Sequence, residues 1–160
     1  MVDVITESGM DFIADNTFHI EKSQLYTSLG EGIRSVEFVR IKNNKLLFVE
    51  AKTTFPYPEK SENNFQTQIN DICEKFIHSL SLYSSIKVGI NEEIFANDFM
   101  PPKKSSLIFI LVIKKHEIKW CKPIKQELTR TLPPCLKKIW KPEVYVLNHE
   151  CARKIKLTIT

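Results

Sequence analysis

The sequence predicts an α/β (α+β) domain of three layers, in which helices cover a central mixed sheet. Residues 35–54 form two apolar-rich strands around a tight turn, residues 65–83 show apolar side chains at helical spacing, and residues 107–113 are a continuous apolar run. A strand, a long helix and a second strand in this order make a crossover unit, which places the two strands parallel. Antiparallel and parallel pairs therefore meet in one sheet.

The pair Asn43-Asn44 is the expected turn of the hairpin in residues 35–54. Asparagine tolerates the positive φ that a two-residue hairpin turn requires. A turn here aligns Glu37 with Glu50, and the two-residue period of a strand puts Lys52 on the same face as Glu50. The face of the three charged groups also carries Val39, Ile41, Leu46 and Phe48, and the other face carries Val36, Phe38, Leu47, Val49 and Ala51.

Charged groups at one end of an apolar sheet face must be solvated, paired or bound to a cation, because burying an isolated charge is costly. A divalent metal between Glu37 and Glu50 would resolve this conflict. The alternative is a cross-strand charge cluster at an exposed sheet end, which does no chemistry.

The flanking regions carry weaker patterns. Residues 17–21 alternate like a strand, residues 23–29 are compatible with a helix, and after Gly30 and Gly32 strand structure is expected to resume at residue 33 or 34. Residues 91–106 are polar and are expected to form an exposed loop. A basic helix is predicted from Pro123, interrupted at Pro133-Pro134 and ending near Trp140, with a strand over residues 143–147.

Length and composition favour one domain over residues 1–160, because 160 residues with 42% hydrophobic content bury one core and are too few for two ordinary domains. No apolar run approaches the length of a membrane span, and the start of the chain lacks the pattern of a secretory signal. We therefore expect a cytoplasmic protein with no membrane partner. The four cysteines form no C-x-x-C pair, which suits reduced thiols better than a disulfide framework.

The net charge of +4 hides a division between the two parts of the chain. Residues 1–100 hold nine basic and fifteen acidic side chains, whereas the C-terminal segment 101–160 holds fourteen basic and four acidic ones. An acidic part that could hold cations beside a basic part that could hold phosphates is expected of an enzyme acting on a polyanion. A solvated lysine-rich surface would give the same totals.

An acid lies on the first hairpin strand, and it is followed by Glu50-Ala51-Lys52, a helix and a parallel strand. This order of elements, over about residues 33–113, resembles the PD-(D/E)xK nuclease superfamily. The resemblance implies a restriction-endonuclease-like fold. It also implies that Glu37 and Glu50 bind Mg²⁺ or Mn²⁺, that Lys52 orients or activates the attacking water, and that the Ala51 carbonyl is a further ligand. Position 37 is Glu where the family more often has Asp.

Members of that superfamily often add an acid from the helix before the sheet. Glu21 and Glu31 are the candidates for this role, and Glu21 is favoured because Glu31 lies between two glycines in a predicted turn. A second E-x-K, Glu117-Ile118-Lys119, is expected at the polar end of a strand with no acid paired to it.

The function implied is hydrolysis of phosphodiester bonds in a nucleic acid, with DNA expected, RNA open and a homodimer left open. One alternative is a nuclease-like module without activity that binds nucleic acid or a protein. Another is a protein-interaction domain with a lysine-rich surface. Trp120, Trp140 and Tyr145 lie among lysines, a mixture that can stack nucleobases but more often completes a core.

Overall fold

The computed structural model describes residues 2–59, 62–96, 98–101 and 103–159. Short strands and helices at the N-terminus precede a hairpin, a long helix, two further strands and three helices. In chain order the elements are β1 (Val4–Glu7), β2 (Met10–Ile13), β3 (Thr17–Phe18), a 3-10 helix (Ile20–Lys22), α1 (Gln24–Ser28), β4 (Phe38–Lys42), β5 (Lys45–Lys52), α2 (Glu62–Lys87), β6 (Ser106–Ile113), α3 (Ile118–Thr131), α4 (Pro134–Ile139), β7 (Glu143–Asn148) and α5 (His149–Lys154).

The central sheet has five strands in the order β3-β4-β5-β6-β7. β4 pairs antiparallel with β3 and β5, whereas β5, β6 and β7 run parallel, so the predicted mixed sheet is confirmed. The β4–β5 turn is at Asn43 and Asn44, with φ of 52° and 60°. Phe38 pairs with Val49, which is the register expected from that turn.

Helices and a small hairpin cover the two faces of the sheet and make three layers. On one face α2 and α3 pack over the strands, and the ring of Phe76 stacks on Phe109 with centroids 4.5 Å apart. On the other face lie the β1–β2 hairpin and α5, where Phe12 meets Phe38 edge to face at 5.3 Å. The predicted α/β class with a central mixed sheet is therefore confirmed.

The predicted start of the first hairpin strand is wrong. β4 begins at Phe38, four residues after Arg34. The backbone amide of Arg34 donates to His78 Nδ1 (3.0 Å) and that of Val36 to Ser79 Oγ (2.8 Å), so both bind α2 and not a neighbouring strand. As a result Val36 packs on the α2 side of the sheet and not on the opposite face as predicted.

The N-terminal region holds more structure than the pattern indicated. The predicted strand over residues 17–21 shortens to β3 and passes into the 3-10 helix, while the predicted helix over residues 23–29 is confirmed as α1. Before them lies the unpredicted β1–β2 hairpin, whose turn residues Ser8 and Gly9 both have positive φ. The region 91–106 is not exposed throughout, because Phe99 is buried against Phe18; residues 97 and 102 lie outside the described part of the chain.

The basic C-terminal segment also departs from its prediction. α3 begins at Ile118, five residues before Pro123. The helix can contain this proline because it falls just past the first helical turn and removes one hydrogen bond only. Glu117 is therefore the N-cap of a helix and not the end of a strand. α4, β7 and the additional α5 follow. Among the described residues, the helices are all too short or too polar to cross a membrane.

Candidate functional site

Glu37, Glu50 and Lys52 come together on the α2 side of the sheet, where β4 begins and β5 ends. Glu50 lies within β5 and is fully buried, with an exposed fraction of 0%. Glu37 precedes β4 by one residue, is 8% exposed, and donates its amide to the Val49 carbonyl at 3.0 Å. The Lys52 side chain is 32% exposed and holds its ammonium 3.6 Å from Glu50 Oε1. The three predicted site residues thus form one group, here called the Glu–Lys cluster, in which the two glutamates are buried and the lysine is partly exposed.

Lys75 of α2 is a fourth member of this group that the sequence interpretation missed. Its Nζ lies 2.5 Å from Glu50 Oε1 and is itself well buried. Among the described residues, the other oxygen, Glu50 Oε2, has no hydrogen-bond partner although it is buried. Burial raises the pKa of Glu50, and the charges of Lys75 and Lys52 oppose that rise. One carboxylate oxygen is therefore held by lysines and the other is left available.

Glu21, the favoured additional acid, approaches the Glu–Lys cluster from the 3-10 helix. Its carboxyl group is hydrogen-bonded to that of Glu37. Burial, this hydrogen bond and the negative charge of Glu50 raise the pKa of Glu37 to about 9. Glu37 can donate this hydrogen bond only while it keeps its own proton, and two carboxylates in contact repel each other when no cation lies between them. Glu31, the other candidate acid, is exposed in the turn before β4.

The segment that carries Glu37 is fastened to α2 by side chains as well as by its backbone. Arg34 Nη1 lies 2.6 Å from Asp71 Oδ1 and 3.9 Å from Glu74 Oε2, both on the helix. Together with the amide contacts of Arg34 and Val36 to α2, these ion pairs fix the position from which Glu37 enters the site.

The Ala51 carbonyl faces the side of β5 on which Glu37 lies. Successive residues of a strand bond to opposite neighbours, and Lys52 O accepts from Lys114 N beyond the end of β6. Ala51 O consequently points away from β6, where it accepts a hydrogen bond of 3.1 Å from Ser8 Oγ. A carbonyl oxygen has two lone pairs, so one remains for a further partner.

The end of β1 brings a further group of possible ligands close to Glu37. Single ligand atoms of Glu7, His19 and Glu21 all lie within 4.8 Å of one another, a set that also escaped the sequence interpretation. His19 Nε2 is 3.6 Å from Glu7 Oε1, and burial together with Lys22 lowers the pKa of His19. Acidic groups at this level of exposure are common in proteins without an ion.

The acids at the Glu–Lys cluster have the chemistry that a divalent cation prefers. Glu21, Glu37 and Glu50 supply carboxylate oxygens, which suit Mg²⁺ and Mn²⁺, and the buried Glu50 Oε2 has no hydrogen-bond partner among the described residues. Among those residues, however, the three acids or histidines whose ligand atoms all lie within 4.8 Å of one another are Glu7, His19 and Glu21, so Glu21, Glu37 and Glu50 would have to move closer together to hold one ion. The second E-x-K has no such setting, since Glu117 and Lys119 are both exposed and contact each other at 3.2 Å.

Comparison with known proteins identifies no relative of this chain. No protein-family model matches the chain, and no curated protein or solved structure is significantly similar to it.

Proposed function

We propose that the chain is a metal-dependent nuclease of the PD-(D/E)xK type, which hydrolyses phosphodiester bonds with DNA as its expected substrate. The observation that supports this most directly is the buried Glu50 carboxylate, whose Oε2 is unpartnered beside the Glu21–Glu37 pair and whose Oε1 faces Lys52. A surface charge cluster would have its carboxylates in water, whereas here Glu37 and Glu50 are buried.

Glu21, Glu37 and Glu50 would hold Mg²⁺ or Mn²⁺, with the Ala51 carbonyl as a further oxygen. A bound ion of this kind stabilises charge on a scissile phosphate and lowers the pKa of a water molecule. Glu37 must give up its proton before it can act as a ligand, so tighter metal binding is expected as the pH rises.

The two lysines have different parts in this proposal. Lys52, the more exposed of the two, would donate hydrogen bonds to the attacking water and to the phosphate oxygens. Lys75, deeper and on α2, holds Glu50 Oε1 and so leaves Oε2 directed to a ligand. Lys75 is in this sense a positioning residue, and Lys52 is the group that touches substrate.

Binding of the nucleic acid itself is assigned to the basic surface of the C-terminal segment. Its central feature is a shallow depression between α3 and α4, lined by Lys122, Lys125, Gln126, Thr129, Arg130 and Lys137. α3 lies over the same face of the sheet as the Glu50 side chain. Cations along one helix provide the salt-dependent contacts that phosphate backbones require.

The test is cleavage of labelled single-stranded and duplex DNA and RNA by purified protein with Mg²⁺, with Mn²⁺ and with EDTA. Glu50→Gln and Lys52→Ala are each expected to lower the rate by about 100-fold or more, because each removes a group that acts on the reacting atoms. Glu117→Gln changes the acid of the exposed E-x-K and is the matched control, with activity kept. Cleavage that survives Glu50→Gln, or that needs no divalent metal, contradicts the proposal.

A second candidate is a nuclease-like module that binds nucleic acid without cutting it. The contact of 2.5 Å between Lys75 and Glu50 favours it, because a cation must compete with an ammonium group already in place. This candidate predicts binding in EDTA that weakens steeply with salt, and no cleavage with either metal. Binding that is insensitive to salt would instead indicate a protein-interaction domain.

A further inference from the structure

Three aromatic rings form a cluster at the end of the sheet where β5 and β6 finish. Tyr57 stacks on His116 with centroids 5.1 Å apart and rings inclined by 16°, and it forms a T-shaped pair with Trp120 at a centroid distance of 4.9 Å. Tyr57 follows β5, His116 lies in the turn after β6, and Trp120 is in the first turn of α3. Tyr57 and Trp120 are half-buried, so each ring presents part of its surface to solvent.

The cluster adjoins the candidate nuclease site through the backbone. Beyond the end of β6, Lys114 N donates to Lys52 O and Lys115 N donates to Thr53 O, both at 2.9 Å. Lys52 is therefore hydrogen-bonded to the segment that immediately precedes His116. A ligand on the rings would lie at the same end of the sheet as the Lys52 side chain.

Two observations distinguish the cluster from a part of the core. Trp120 belongs to neither core cluster and is not among the half-buried hydrophobic side chains packed against them. His116 is only 8% exposed, yet among the described residues its buried Nε2 has no hydrogen-bond partner. A buried polar atom without a partner is costly, and a ligand with hydrogen-bonding edges would satisfy it.

The positive charge around the rings indicates which class of ligand they could bind. Residues 114–125 contain five lysines and a single acid, Glu117, which is exposed and paired with Lys119. Lys119 Nζ lies 5.5 Å from the centroid of the Trp120 ring. Lys115, Lys119, Lys122 and Lys125 are exposed and continue into the basic depression of α3 and α4. A flat π-system with a cation above it and cations along the adjoining helix matches a nucleobase joined to a phosphate chain.

We infer that Trp120, backed by Tyr57, is a stacking site for an unpaired nucleobase, and that the lysines of residues 114–125 hold the phosphates of the same strand. The inference rests on the proposed action on nucleic acid and narrows its substrate to single strands or unpaired strand ends. Bases inside a duplex are stacked on each other and cannot offer a free face to the indole ring. His116 Nε2 would hydrogen-bond the base or the adjoining phosphate.

The test uses binding in EDTA, where cleavage has no part. In a Trp140→Phe protein, Trp120 is the single tryptophan, and its fluorescence is expected to be quenched by oligothymidylate or oligouridylate and much less by a blunt duplex. DNA and RNA strands in parallel show which sugar is preferred. Trp120→Ala is expected to weaken binding of a labelled single strand by about 5- to 150-fold, the range for loss of one stacked base. Trp120→Phe is expected to retain most of the affinity.

The control Trp140→Ala removes an exposed tryptophan at the end of α4 and is expected to leave affinity unchanged. Equal affinities for Trp120→Ala and Trp140→Ala, or quenching by duplex as strong as by single strands, would overturn the inference. The two proposals fail separately: binding that depends on Trp120 without any cleavage refutes the nuclease alone, whereas cleavage indifferent to Trp120 refutes the stacking site alone.

Discussion

Replacing Glu37 by Gln tests whether the candidate site keeps a proton at neutral pH. Burial, the hydrogen bond with Glu21 and the charge of Glu50 raise the pKa of Glu37 from 4.5 to about 9 in the folded protein. In the unfolded chain the carboxyl group returns to the ordinary value. Between these two pKa values the folded protein binds one more proton than the unfolded chain. Its contribution to stability is thus fully present below about pH 4.5 and is lost as the pH rises through 9.

The size of the effect follows from this difference of one proton. Each pH unit inside the window lowers the free energy of unfolding by up to about 1.4 kcal/mol, so from pH 6 to pH 8 the wild type loses up to about 3 kcal/mol through this one group. Glutamine has the shape of a protonated glutamate and can donate a hydrogen bond to Glu21. We therefore expect Glu37→Gln to match the wild type in acid and to exceed its stability progressively as the pH rises.

The assay is urea denaturation of both proteins in EDTA at pH 6, 7 and 8 and constant ionic strength. Only the difference between the variant and the wild type is interpreted, because other titrating groups such as His19 and His116 contribute equally to both. Glu31→Gln, at an exposed position, is the control and should give a difference that does not depend on pH. A flat difference for Glu37→Gln as well would refute the reasoning, since Glu37 would then be ionised in the folded protein.

Two further substitutions test the supports of the site, with stability in urea as the measurement. Lys75→Met leaves the fully buried Glu50 without its nearest cation and is expected to cost about 3 to 5 kcal/mol at pH 8 and less in acid, where Glu50 can take up a proton; an equal cost at both pH values would contradict this. Ser79→Ala removes the acceptor of the Val36 amide and is expected to cost about 1 to 3 kcal/mol, whereas Ser81→Ala, on the exposed side of α2, should cost little.

The hairpin was predictable because its register depends on local chemistry. Asn43 and Asn44 adopt positive φ, and that turn determines which residues face each other along β4 and β5. From the register and the two-residue period of a strand, Glu50 and Lys52 had to share a face. Their joint position at one end of an apolar surface could therefore be anticipated without any tertiary information.

The path of the backbone into Glu37 could not be derived from strand geometry, because the residues before β4 lie outside the sheet. Its predecessors bind α2 through Arg34 and Val36, and these contacts depend on side chains more than forty residues away. Glu37 reaches the expected face only because its own amide still bonds to Val49 O. The prediction of the face was right, while the assumed path of the backbone was wrong.

The inward position of Lys75 could have been predicted from the helical periodicity of α2. It lies three residues after Ile72 and four before Ser79, and both of these side chains are fully buried, so Lys75 falls on the inward stripe of α2. A lysine on such a stripe needs a buried acid as its partner. Glu7 and His19 gave no comparable signal, because the strands around them have four and two residues, too short for a period to be recognised.

The buried carboxyl groups of the site are compensated in two different ways. Glu50 can be buried without a metal ion because Lys75 compensates its charge, so the sheet and α2 can pack without any ion. Glu37 forms no ion pair with a lysine among the described residues, and its raised pKa means that it keeps its proton instead. In the proposed nuclease an ion would replace this proton, which is removed more readily than a buried ammonium group. We therefore expect metal binding to begin at Glu37 and to engage the unpartnered Glu50 Oε2 afterwards.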